Sequence, residues 1–300
     1  MLAFLIFTKY WLPLLIVASF FIVGGWAWGF ALTGFFYLAL IAALWAVQSK
    51  LVYVNPRKMR QTPSDRGFAF SEVFLTPEGA RAGECVHGWL IPAARAGAPV
   101  VLYCHGIAHN ISQRLDVAAL WHAAGCGVFM FDYRGFGRSG GRPGEENTYA
   151  DARAAWAHLT RTLGIRPGGI IIHGHSLGSG VAARLAAEVG TEAASAPRLV
   201  LEAAFTGLPE VAQKVLPYIP ASWLCRPQYP NLENLRKSRC RALFIHSGTD
   251  ELVPCAMGEK LFAEYPGEKE FFMTRGSHDR SLTEDAARAL PRLREFAERG

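Results

Sequence analysis

Gly169-Ile170-Ile171-Ile172-His173-Gly174-His175-Ser176-Leu177-Gly178-Ser179-Gly180-Val181-Ala182-Ala183 is the stretch that decides the fold. Three consecutive isoleucines read as a buried β-strand, and the alanine-rich run from Gly178 to Val189 reads as a helix laid against it. Between them stands Gly-x-Ser-x-Gly, in the strand–turn–helix setting that lifts a serine hydroxyl into the open. Side chains at 174 and 178 would collide with crossing backbone, which is why both positions are glycine. The backbone N–H of Leu177, at the start of the helix, then points toward a developing oxyanion. A chance Gly-x-Ser-x-Gly is common in a chain with 30 glycines, but one flanked in this way is not. Ser176 is therefore expected to be a nucleophile.

Strand and helix signals alternate on both sides of this turn. Phe70 to Leu75 and Cys85 to Ile91 read as a hairpin around a Pro-Glu-Gly turn. Further strands are expected at Val100–Tyr103, Gly127–Tyr133, Leu199–Ala204, Leu243–His246 and Glu270–Met273. Helices are expected near 112–124, 148–163, 178–189, 257–264 and 282–298. The alternation predicts an α/β fold with a mostly parallel sheet and helices on both faces. Residues 206–241 interrupt it: Pro209, Pro217, Pro220, Pro227 and Pro230 forbid a long helix, and an insertion of that length reads as a cap.

A nucleophilic serine needs a base, and the base needs an orienting acid. His246-Ser247-Gly248-Thr249-Asp250 puts Asp250 in a loop at the carboxyl end of one strand, and Arg275-Gly276-Ser277-His278 puts His278 at the equivalent end of the next. The order Ser176, Asp250, His278 is the one this strand–turn–helix architecture uses. Taken singly, the plainer readings are a turn or helix-capping residue for Asp250 and a surface histidine for His278, each the minority reading. The three together at strand ends do not.

At these residues the chain resembles the α/β-hydrolase superfamily, over about Glu72 to Ala297. His105-Gly106-Ile107 looks like the oxyanion loop, which implies that Ile107 supplies a backbone N–H beside that of Leu177. Asp132-Tyr133-Arg134-Gly135-Phe136-Gly137-Arg138-Ser139 looks like the family's D-x-R-G-x-G-x-S loop. With Gly141, Arg142, Pro143 and Glu145 it is similar to a membrane-anchored subgroup that includes protein depalmitoylases, lysophospholipid lipases and uncharacterised bacterial relatives. The resemblance implies ester or thioester hydrolysis with no cofactor. Two residues depart from the subgroup: Ile107 stands where Asn is frequent, and Glu202 where Asp or Ser is frequent. Some relatives carry the catalytic acid after that strand, so Glu202 is the reserve for Asp250, against a plainer reading as a structural ion pair. Trp223, Leu224 and Tyr229 in the cap are candidates to line an acyl pocket, and cap packing is the plainer reading of each.

Composition locates the protein. Apolar residues make up 51% and charged ones 19%, which excludes a disordered chain. The net charge of +6 invites a nucleic-acid reading until it is mapped. Residues 1–64 hold Lys9, Lys50, Arg57, Lys58 and Arg60 and no acidic side chain, which leaves 26 basic against 25 acidic residues from Asp65 onward. A nucleic-acid-binding domain would carry its surplus on the folded body. From Tyr10 to Ser49 nothing is charged. The Gly24-Gly25-Trp26-Ala27-Trp28-Gly29 break divides residues 1–50 into two short transmembrane helices, about 11–27 and 30–47, and a basic linker over 51–68 leads to the catalytic domain, 69–300. Basic flanks on both sides of such a hairpin put the body on the cytoplasmic face. A cleaved signal peptide, or one span plus an interfacial helix, are the rival readings.

The remaining motifs are read plainly. Cys85, Cys104, Cys126, Cys225, Cys240 and Cys255 form no C-x-x-C pair and no zinc spacing, so they are expected to be free thiols. Gly135 to Gly140 spells G-x-G-x-x-G, but Gly141 and Pro143 follow where a dinucleotide site needs a helix. His105, His109, His173 and His175 have no acidic partner at metal-ligand spacing. No cofactor, no metal and no nucleic acid are expected; the expected partners are an acyl substrate and membrane lipid. The alternatives kept open are a serine aminopeptidase and a non-catalytic membrane scaffold.

Overall fold

A computed structural model of the chain describes Trp11, Leu15, Ala18 and residues 26–54, 56–192, 194 and 196–299. The chain forms two compact units, one of Tyr53–Gly207 with Tyr229–Gly300 and the other of Met1–Val52 with Leu208–Gln228.

The larger unit is an eight-stranded sheet in the order β1-β2-β4-β3-β5-β6-β7-β8. Its strands are β1 (Ser71–Leu75), β2 (Val86–Ile91), β3 (Val100–Cys104), β4 (Gly127–Phe131), β5 (Ile170–His175), β6 (Arg198–Glu202), β7 (Ala242–Ser247) and β8 (Lys269–Thr274). β2 pairs antiparallel with both β1 and β4, and every pairing from β4 to β8 is parallel. β3, β4, β5, β6 and β7 read as continuous apolar runs because helices cover both faces, and nearly all their residues are buried. One face packs Trp89, Val101, Trp121, Met130, Ile171 and Leu293 into a single core. The expected strands are all present, with edges displaced by one or two residues.

In chain order the helices are α1 (Trp26–Val52), α2 (Leu115–Ala123), α3 (Glu145–Ala157), α4 (Leu177–Val189), α5 (Leu208–Val215), α6 (Ala221–Leu224), α7 (Asn231–Lys237), α8 (Cys255–Glu264), α9 (Ser281–Glu284) and α10 (Ala286–Glu298). The closing helix expected over 282–298 is broken at Asp285, whose carboxylate holds Arg288 at 2.7 Å and accepts from the N–H of Arg275.

Three expectations are corrected here. The first concerns the membrane segment. The first expected span, 11–27, lies largely outside the described residues. The second, 30–47, is a longer helix that starts at Trp26 and ends at Val52. Gly29 alone does not break it, since one glycine costs a helix only about 1 kcal/mol, and Gln48 to Val52 continue it. The second concerns the linker. Leu51 and Val52 belong to α1, and residues from Pro56 onward are docked on the larger unit. Asn110 Nδ2 donates to the carbonyls of Pro56 and Lys58, and Arg57 donates to the Ser139 carbonyl at 2.9 Å. The third concerns the cap. Only Leu208–Gln228 separates from the larger unit, because Tyr229 and α7 are packed into it. Tyr229 is buried, and its hydroxyl lies 3.0 Å from that of Tyr53 and 3.1 Å from Thr148 Oγ1.

The smaller unit contains α1, α5 and α6. Gly29–Val52 has a mean hydropathy of 2.1, and none of its most apolar window is buried by protein. At 1.5 Å per residue its 24 residues measure about 36 Å, enough to cross a hydrocarbon core of about 30 Å.

Candidate active site

The site is assembled at the carboxyl ends of β3, β5, β7 and β8. β5 delivers the chain into Ser176, whose φ of 52° and ψ of −121° lie where a non-glycine residue is strained. Two hydrogen bonds hold the turn: Ser176 N–H donates to the Glu202 carbonyl at 2.9 Å, and Ser179 N–H donates to the Ser176 carbonyl at 2.8 Å. The flanking glycines are obligatory. A Cβ on Gly174 would sit 2.3 Å from the Gly178 carbonyl oxygen, and one on Gly178 would sit 2.0 Å from that of Cys104.

His278 follows β8 in a loop turned by Gly276, at φ 112°. Its Nε2 is 2.8 Å from Ser176 Oγ, and its Nδ1 is 2.7 Å from Asp250 Oδ2. Asp250, at the end of β7, is fixed independently by the backbone N–H groups of Leu252 and Val253, which donate to its other oxygen at 2.9 and 2.8 Å. A carboxylate beside Nδ1 makes that nitrogen the donor, and Nε2 is left to accept the serine proton. Burial alone would raise the Asp250 carboxyl, but the His278 hydrogen bond and charge and these two amides hold it below its ordinary value of 3.8. Ser176 keeps 8% of its surface exposed, while the side chains of His278 and Asp250 are buried.

The loop after β3 closes against this elbow. A Cβ on Gly106 would lie 3.2 Å from that of Ser176, so the backbone that leads into Ile107 passes close beside the serine. His105 is immobilised beneath it: Nδ1–H donates to the Gly106 carbonyl at 2.7 Å, and Tyr133 donates to the His105 carbonyl at 2.9 Å. Leu177 is the first residue of α4, where backbone N–H groups have no partner within the helix. The D-x-R-G-x-G-x-S loop is scaffolding for this arrangement. Asp132 accepts from the Ile111 N–H, Arg134 pairs with buried Asp151, and Ser139 donates to the Asp132 carbonyl.

Glu202, the reserve acid, is 2% exposed, and it is Asp250 that holds His278 Nδ1. Its oxygens take a hydrogen bond from Ser281 at 3.1 Å and stand 3.2 Å from His173 Nε2. Trp121 Nε1 donates to His173 Nδ1 at 2.9 Å, which leaves the ring proton on Nε2, toward Glu202. Burial opposes the charge of Glu202, yet the imidazoles of His175 and His173 and the guanidinium of Arg114 hold its carboxyl at about 2. His175 is buried with its Nε2–H on the His278 carbonyl at 3.1 Å, and burial lowers its imidazole to about 4. Trp223 is 89% exposed, and Tyr229 is a core residue, so neither has the surroundings expected of a pocket wall. Leu224 lies against α1 in the smaller unit.

The sequence reading missed Glu251 and Ser281. Glu251 accepts the His278 N–H at 3.1 Å, and Ser281 ties the following helix to Glu202. Adjacency to Asp250 and the three-residue step from His278 were the available signals. A cavity of about 890 Å³ is lined by Pro99, Gly125, Gly169 and Arg198, at the amino ends of the parallel strands and away from this site. In an open parallel sheet ligands bind at the carboxyl ends.

A family model described as serine aminopeptidase, S33, matches residues 96–237, which include Ser176 and stop short of Asp250 and His278. The chain is 33% identical over 264 residues to an uncharacterised protein of Mycobacterium tuberculosis, covering 86% of this chain and 89% of that one. It is 32% identical over 199 residues to alpha/beta hydrolase domain-containing protein 17B of Homo sapiens, covering 65% of each chain. Among solved structures, the Pyrococcus furiosus esterase Pf2001 aligns with a TM-score of 0.66 at 20% identity, covering 82% of this chain and 98% of that one. At that identity the likeness concerns the fold.

Proposed function

The chain belongs to the α/β-hydrolase superfamily, and on that premise we propose that it is a membrane-anchored serine hydrolase that cleaves a carboxylic ester or thioester through an acyl-enzyme on Ser176. One observation carries the reading: the unbroken chain of hydrogen bonds from Ser176 through His278 to Asp250, at 2.8 and 2.7 Å.

The chemistry follows from that chain. Ser176 Oγ attacks the acyl carbonyl carbon as its proton passes to His278 Nε2, and Asp250 steadies the imidazolium and its tautomer. The tetrahedral oxyanion is met by the N–H groups of Ile107 and Leu177, each worth about 3 kcal/mol to the transition state. His278 then gives its proton to the departing alcohol or thiol. A water molecule, deprotonated by the same nitrogen, releases the acid. Anchored by α1, with Lys50, Arg57, Lys58 and Arg60 on the cytoplasmic side, the enzyme meets acyl groups presented by the bilayer. Lipid esters, lysophospholipids and acylated proteins fit that location.

A fluorophosphonate probe tests the reading directly. Wild type is expected to label and Ser176→Ala is not; an unlabelled wild type would end the enzyme proposal. The family description supports a second reading, cleavage of an N-terminal peptide bond by the same three residues. Rates on palmitoyl-thioester, lysophospholipid and aminoacyl-anilide substrates rank the two. Faster anilide cleavage would favour the peptidase.

A further inference from the structure

The smaller unit places the cap on the same helix that is apolar enough to cross a membrane. Tyr37 Oη–H donates to the Tyr218 carbonyl at 2.8 Å. Eleven residues further along α1, Gln48 donates to the Leu224 carbonyl and accepts from the Arg226 N–H at 2.8 Å. The Arg226 guanidinium lies 3.5 Å over the Trp45 ring. Leu44, Leu51, Leu216, Ile219 and Leu224 line an apolar crevice of about 110 Å³ within the same unit. The cap therefore runs along α1 from Gln48 to Tyr37, a rise of about 16 Å.

That rise decides where the cap sits. Gln48, Lys50 and Arg226 mark the polar end of the helix, and the headgroup layer on one side of a bilayer is only about 5–7 Å thick. A loop that hydrogen-bonds about 16 Å further along reaches past the headgroups. We propose that Val215–Cys225 is a membrane-embedded segment of the cap, in contact with the acyl chains of bilayer lipid. The proposal rests on the reading of α1 as a membrane anchor.

The composition and bonding of the segment fit lipid. Val-Leu-Pro-Tyr-Ile-Pro-Ala-Ser-Trp-Leu-Cys contains no charge, and Lys214 and Arg226 stand immediately outside it. Tyr218 and Trp223 are exposed, the ring types that membranes accept near their surface. Irregular backbone survives in hydrocarbon only if its polar groups are satisfied by protein. Pro217 and Pro220 have no N–H to satisfy. The N–H groups of Ile219, Ala221, Trp223, Leu224 and Cys225 have backbone acceptors. The Gln213 side chain does most of the rest: its amide nitrogen reaches the carbonyls of Leu216, Pro217 and Ile219, and its oxygen accepts from Ser222 N–H and Oγ–H. The Tyr218 carbonyl is taken by Tyr37.

The test uses the full chain in vesicles of phosphatidylcholine and phosphatidylglycerol, with and without lipid spin-labelled on its acyl chain. An environment-sensitive fluorescent amino acid replaces Tyr218, Pro217, Trp223, Leu38 on α1 or Lys260 on α8, one at a time. Reporters at Tyr218, Pro217 and Leu38 are expected to lose about half or more of their emission to the spin label, and the one at Lys260 almost none. Trp223, beside the Gln48 end, is expected to fall between. If Leu38 is quenched while Tyr218 and Pro217 respond only to aqueous iodide, the cap lies in water and the proposal is wrong, although the anchor stands. If Leu38 also responds only to iodide, the anchor reading fails and takes this one with it. Fluorophosphonate labelling of Ser176 reports on the hydrolase reading independently of all three outcomes.

Discussion

Two buried carboxylates are candidates to orient His278, and their partners give them different work. Asp250 touches Nδ1 at 2.7 Å, whereas Glu202 is occupied by Ser281 and His173. Asp250→Asn is expected to lower kcat by about 10⁴, the loss that follows when the wrong tautomer is presented to the serine. Glu202→Gln is expected to cost less than tenfold, measured on the same ester, because it leaves the tautomer alone. Comparable loss in Glu202→Gln alone would reverse the assignment. His175 supplies a pH dependence. The unfolded chain takes up that proton near the ordinary imidazole value of 6.5, the folded one only at about 4. The unfolded state therefore binds more protons between those values, and stability falls as pH drops through the window. The lost stability approaches about 3 kcal/mol at the acid end. His175→Gln, which keeps a donor for the His278 carbonyl, is expected to flatten that decline in denaturant midpoints taken from pH 7 to 4.

The β5–Ser176–α4 turn shows what an element's sequence can and cannot reveal. Its glycines declare themselves, since each faces backbone less than 2.5 Å from where a Cβ would be. Gly178→Ala is expected to destabilise the protein by about 3 kcal/mol, the upper range for overpacking against groups that cannot move, and to abolish fluorophosphonate labelling. Thermal unfolding and labelling of one preparation check both. The parallel strands were equally legible, because burial on both faces leaves a run of Val, Ile, Leu and Phe that needs no alternation. The long apolar helix was less so. A glycine pair and a single glycine look alike in composition, yet α1 runs through Gly29 from Trp26. The cap was legible as an interruption and not in its limits, because Pro230 and α7 share its composition while their contacts belong to the catalytic unit. Tyr229 could not be told from Trp223 by residue type. What separates them is the space beside Gly180, where an added Cβ would lie 2.6 Å from the Tyr229 ring.

Across the whole molecule, charge and hydropathy divide along the chain. The basic surplus borders the apolar N-terminal region, and the remainder is close to neutral. The protein is expected to stay with membranes through high salt and carbonate and to leave them in detergent, since burial of a helix of 24 apolar-rich residues is not an ionic attachment. Immunoblots of washed membranes read the outcome. A C-terminal tag reachable only from the cytoplasmic side would support the orientation, and the opposite accessibility would reverse it. The triad also has a consequence in time. Ser176 and His278 meet across 102 positions of the chain. A ribosome adding roughly 5–20 residues per second makes the serine about 5–20 s before it makes the histidine. On the proposed mechanism, the nascent chain carries Ser176 through that interval without the histidine that activates it. On the anchored-hydrolase reading proposed above, the acyl groups of the bilayer come within reach of the half-made protein before it is able to cleave them.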